Sequence, residues 1–155
     1  MDLSISTLVV GGGLAGLIGA LAMNGFMFVV SRGFSERVDM TKALGSLFTG
    51  KLENARAAGT LGHCISGFIF GVAYLILFDL TQLIQVSYLA LLGLGIGFLH
   101  GLVVSYGLMF VVSVRHPIEQ YRKVTLEIGF LHLIGHVLFG LTVGLIAGLI
   151  FSLGG

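Results

Sequence analysis

An all-α architecture is expected for this chain: a four-transmembrane-helix bundle built from two parallel-repeated helix hairpins, with a short interfacial amphipathic helix in the first loop. Three features carry that expectation. The composition is 56% hydrophobic and only 10% charged over 155 residues, against about 25% charged in a soluble domain. Four apolar runs each exceed the roughly 20 residues that cross a bilayer core. The chain also repeats itself. Residues 1–155 are read as a single integral membrane domain, with repeat one at 8–80 and repeat two at 86–153.

The runs are about residues 8–30, 57–78, 86–113 and 126–153. They are rich in glycine, which membrane helices tolerate because small residues let backbones approach. Nothing alternates with the ~10-residue pattern of a membrane β-barrel. The N-terminus lacks the positive region of a signal peptide, so the first run is read as a retained span.

All eight lysines and arginines fall in two connections. Arg32, Arg37, Lys42, Lys51 and Arg56 lie between the first two runs, and Arg115, Arg122 and Lys123 between the last two. The positive-inside rule then places loops 31–56 and 114–125 in the cytoplasm and both termini outside. Within the first loop, Met40, Ala43, Leu44, Leu47 and Phe48 recur at helical spacing behind Asp39, a suitable N-cap. This segment is read as an amphipathic helix on the cytoplasmic surface or a partner-docking helix. The short connection 79–85 suits an antiparallel hairpin. Pro117 after His116 marks the start of the last loop.

The repeat is visible in two places. Gly25-Phe26-Met27-Phe28-Val29-Val30-Ser31 matches Gly107-Leu108-Met109-Phe110-Val111-Val112-Ser113, an offset of 107 − 25 = 82. Gly62-His63, Gly67 and Gly71 match Gly135-His136, Gly140 and Gly144, an offset of 136 − 63 = 73. Repeats of equal orientation are related by an axis along the membrane normal. That symmetry sets His63 and His136 at one depth.

Four histidines, His63, His100, His132 and His136, lie inside apolar runs. An ionisable residue there is expensive and marks a functional site by default. His116, in a loop, is expected to be solvated. The leading reading is ligation of haem b, or a related tetrapyrrole, by His63 and His136 between the second and fourth runs. Gly67 and Gly140, each four residues beyond its histidine, would leave flat space for the ring. His100 and His132 would line the same cavity as hydrogen-bond partners, further ligands or part of a quinone site. A second reading is a bare transition-metal site for transport, holding His63 and His136 among its ligands. His132 and His136 stand at the chelating i, i+4 spacing. A third is purely structural: membrane histidines hydrogen-bond across helix interfaces and hold a register.

Other chemistries find no residues. The chain has no phosphate loop, no nucleophile elbow and no paired intramembrane carboxylates, so a non-catalytic redox subunit is expected rather than an enzyme. There is no basic tract and no tryptophan, which argues against nucleic acid as a partner. The single cysteine, Cys64, is read as a packing residue. Expected partners are the lipid bilayer and a larger membrane complex or a second copy of the chain.

On Met23 to Met27, Asp39-Met40 to Leu44-Gly45, and Gly62-His63 to Gly71, the first half of the chain resembles an uncharacterised group of small prokaryotic four-helix integral membrane proteins. That resemblance implies a prokaryotic inner or plasma membrane and brings no activity with it. In architecture the chain is similar to membrane-anchor cytochrome b subunits. This likeness implies helix-borne histidines holding haem and service in electron transfer.

Overall fold

The computed structural model describes residues 3–32 and 39–154. Arg37 lies outside them. Among the described residues five α-helices follow one another: α1 (Ile5–Ser31), α2 (Met40–Thr49), α3 (Ala55–Thr81), α4 (Val86–Arg115) and α5 (Leu126–Gly154). A single 3₁₀ turn, Glu119–Arg122, interrupts the last connection. All but α2 are long and apolar enough to cross a membrane. The chain is therefore an integral membrane bundle of four spanning helices, with α2 at the end where the basic loops lie.

Local chemistry sets the ends. Ser4 caps α1 by accepting from Thr7 N–H at 3.2 Å. Asp39 caps α2 by accepting from Lys42 N–H at 3.0 Å, as its position before the amphipathic stretch predicts. Gly50 stops α2 in the left-handed conformation at φ 70°. His116, forced to extended backbone by Pro117, stops α4. At the far end, Leu3 N–H reaches Asp79 Oδ1 at 3.5 Å.

Glycine-lined seams hold the helices. In lipid there is little hydrophobic drive between helices, so close packing does the work. A side chain at Gly16 would meet the backbone of Gly67 and Gly71, and one at Gly93 would meet Gly140 and Gly144. The hairpins α1/α3 and α4/α5 thus cross on the same small-residue device. The seams fix the structural equivalence of the repeats. With α3 and α5 related by 140 − 67 = 73, α1 and α4 are related by 93 − 16 = 77, five residues from the offset of 82 read from the sequence. The near-identical segments that set 82 lie beyond the seam, where Gly25 and Gly107 both face open space.

Helix α5 is central: 50% of its apolar stretch is buried, against 22–33% in the other spans. It packs on both α4 and α1. The core sits away from the basic loops, around Leu75, Phe78, Leu89, Val143, Ala147 and Phe151. Helices α3 and α4 meet chiefly through side chains, with the rings of Phe70 and Tyr74 lying on His100 at 4.1 and 5.9 Å.

The amphipathic helix rests on the bundle itself. Gly45 of α2 crosses Gly59 of α3, each too close to the other's backbone to admit a side chain. Ala43 and Ser46 are buried, while Phe48 is 74% exposed. The expectation of a solvated His116 is overturned here, because its ring is fully buried. Its Nε2 lies 2.9 Å from the Ala43 carbonyl and its Nδ1 accepts from Ile118 N–H at 3.0 Å. The second loop therefore clasps α2, a partner that no local pattern around residue 116 announces.

Candidate functional site

A cavity of about 720 Å³ opens between the helices on the loop side of the core, within the 300–1,000 Å³ range of small-molecule sites. Each helix lends it one face. Ala20, Met23, Asn24, Met27 and Phe28 line it from α1, and His63, Ser66, Phe70 from α3. Helix α4 gives His100, Val104 and Leu108, and α5 gives His132, His136 and Phe139. These sets follow the i, i+3, i+4, i+7 rule of a single helical stripe. Met40 and Leu44 of α2 close the loop end, beside Arg32, Asp39 and Arg56.

All four intramembrane histidines reach this one cavity. His136 is the best fixed. Its Nδ1 donates to the carbonyl of His132 at 3.0 Å, one helical turn back. A neutral imidazole has one N–H, so that bond leaves the Nε2 lone pair free. The ring touches His132 at 4.7 Å and His100 at 4.8 Å between centroids, both edge to face. His63 lines the same cavity from α3. The Nδ1 of His63 is buried with no hydrogen-bond partner. His100 shares a hydrogen bond between its Nδ1 and the Tyr74 hydroxyl at 3.1 Å, and its Nε2 is buried without a partner. Two buried, unpaired imidazole nitrogens on one cavity are costly unless a ligand engages the rings.

The glycines do not act as the sequence suggested. Gly67 borders the cavity, yet a Cβ there would strike Ala20 and the Gly16 carbonyl. Gly140 turns to Gly93 and Gly97 of α4. Both let helices approach rather than leaving room for a ring. The space comes instead from the separation of α3 and α4.

Among the described residues, no three His, Cys, Asp or Glu side chains converge on a point where a bare metal ion would sit. What the site offers instead is a large, mostly apolar volume lined by imidazoles, the kind of lining a porphyrin would ask for. The lining holds His136 with its Nε2 left over from the bond at Nδ1, His63 with a buried Nδ1 that has no hydrogen-bond partner, and Phe70 and Phe139 as walls.

Sequence reasoning passed over Ser66, Phe70 and Tyr74. The signal was available, since they follow His63 at +3, +7 and +11 and so share its face. Arg32 and Arg56 continue the stripes of α1 and α3, four residues after Phe28 and seven before His63, whereas Asp39 joins the site only because α2 folds over the bundle. That contact has no signature in the local sequence.

No family model, curated protein or solved structure matches this chain.

Proposed function

We propose that the chain is a membrane subunit that binds haem b between α3 and α5, with His63 and His136 as axial ligands, for electron transfer within a larger membrane complex. The observation that carries this reading is the pinned His136. Its Nδ1–H is held by the His132 carbonyl, so Nε2 is presented to the same cavity that His63 lines. Such a backbone hydrogen bond is how proteins fix the tautomer and orientation of a ligating histidine. The bound group would supply the one-electron couple. The chain's own residues bind it, orient it and keep water from it: Phe70 and Phe139 wall the ring volume, and the seams around α5 hold His136 in place.

The charge pattern supports cytoplasmic loops and external termini, and a prokaryotic plasma membrane rests on the resemblance of the first half of the chain alone. Haem would then sit in the cytoplasmic half of the bilayer. Four spans with one ten-residue helix as their main extramembrane element offer little surface for a soluble redox partner, which favours assembly with other membrane subunits or a second copy.

One observation favours a second reading, a structural or assembly subunit without cofactor. The Tyr74–His100 bond ties α3 to α4, a contact typically worth about 0.6 kcal/mol in a membrane bundle. Visible spectroscopy separates the two. Haem binding predicts a Soret band and a reducible α-band in the purified protein, both lost in His63→Ala and in His136→Ala. A colourless protein whose histidine variants assemble normally would support the structural reading instead.

A further inference from the structure

We propose that the cavity is built for an amphiphilic dicarboxylate, held by its acid groups at Arg32 and Arg56 with its apolar body turned inward. On the haem reading, on which this rests, the acid groups are the porphyrin propionates, and they point toward the basic loops.

The two ends of the cavity differ in chemistry. The deep end is imidazole and phenyl: His100, His136, Phe70 and Phe139. The mouth is cationic. Arg32 stands at the C-cap of α1 and Arg56 in the first turn of α3, and both border the cavity. Arg56 lies seven residues before His63, about 10 Å along the helix axis at 1.5 Å per residue. The basic mouth is thus two helical turns from the proposed ligand.

Both guanidinium groups are positioned. Arg32 lies over the Phe28 ring at 4.3 Å from its centroid, a cation–π contact that directs a long side chain without using its N–H donors. Arg56 meets Asp39 through one pair of atoms, Nη2 to Oδ2 at 2.6 Å. A guanidinium carries five N–H donors in a fixed fork, so a single contact leaves donors for a further carboxylate. The N-terminus of α3 adds positive potential on the same side. Among the described residues that line the mouth, two arginines and one aspartate leave one positive charge in excess. Asp39 already shows the geometry of a carboxylate held there, and a bound acid would share Arg56 with it.

The test titrates the haem-free protein in detergent with haem b and with haem b dimethyl ester, which keeps the ring and iron but lacks the acid charges. The unmutated protein is expected to bind the free acid about tenfold more tightly than the ester, as expected when charge-assisted hydrogen bonds are lost. The double variant Arg32→Gln, Arg56→Gln is expected to bind both equally, with the Soret position unchanged because the ligands are untouched. Asp39→Asn, which keeps a capping side chain on α2, is expected to widen the preference by removing the competing carboxylate. Equal affinity for acid and ester in the unmutated protein overturns this proposal and leaves haem ligation standing. Uptake of neither porphyrin overturns the haem reading, and this proposal falls with it.

Discussion

The two hairpins offer a direct comparison. The repeat that relates α1 to α4 and α3 to α5 should make α3 pack on α4 as α5 packs on α1. It does not. The α1–α5 face is closed, with Gly19 against Phe139 and Val143 and Gly135 against Met23. The α3–α4 face is held apart by the rings of Phe70 and Tyr74 on His100. The substitutions between the repeats account for it. At the offset of 73, Phe70 stands where α5 has Val143, and Tyr74 where α5 has Ala147. Small residues close one face and aromatic wedges open the other. A duplicated bundle gains an internal site where its symmetry breaks, and that is where all four histidines gather.

The comparison can be broken most severely at the seams. Gly16→Leu or Gly97→Leu would drive a side chain into backbone, the first at Gly67 and Gly71 and the second at His136 and Gly140. Overpacking of this kind costs about 1–3 kcal/mol or more. The purified variants should unfold at markedly lower temperature, whereas Gly62→Ala and Gly107→Ala, with nothing within 4 Å, should stay within about 0.5 kcal/mol of the parent. Next comes His116→Ala. It removes a fully buried ring and its bond to the Ala43 carbonyl, at a cost of about 2–4 kcal/mol. Hydrogen exchange should show the loss concentrated in α2, with the spectrum expected of the proposed haem site retained.

A smaller effect sharpens the comparison at the open face. Tyr74→Phe keeps the wedge and deletes only the bond to His100. Stability should fall by about 0.6 kcal/mol and by no more than ~2, and the cavity should stay open, so haem affinity should change little. The smallest effect is acidification of the α2 latch. Burial alone would raise the pKa of Asp39, but the bonds from Arg56 and from Lys42 N–H and their charges hold it below its ordinary 3.8. A carboxyl depressed on folding stabilises above its unfolded pKa and loses that contribution as pH falls through its folded one. Docking of α2 should therefore be flat with pH down to about 4 and weaken below it, modestly because the pair is largely exposed. Asp39→Asn should remove this dependence.

The spans were legible because twenty apolar residues have few other uses. The Asp39 cap and the Pro117 stop were legible because their chemistry is local. The gathering of His63 and His136 was legible through the repeat. The role of the glycines was not, since the same spacing beside a histidine serves a flat ligand or a helix crossing. Only the facing residues, Gly16 and Ala20 for Gly67 and Gly93 for Gly140, decide between them. His116 was misread for a related reason: a loop histidine before a proline carries no sign that a helix 70 residues earlier will fold over it. The five-residue shift in the α1/α4 register was hidden because the strongest sequence match lies beyond the seam, where Gly25 and Gly107 meet nothing, rather than in it.

His63 and His136 are proposed to hold one iron between them. Electron paramagnetic resonance of the oxidised, haem-loaded protein tests it most directly. The unmutated protein should give a low-spin ferric signal with two imidazole ligands, and in either His→Ala variant that signal should become high-spin or disappear with the haem. A low-spin signal unchanged in both variants, or no ferric haem in the unmutated protein supplied with haem, would contradict it.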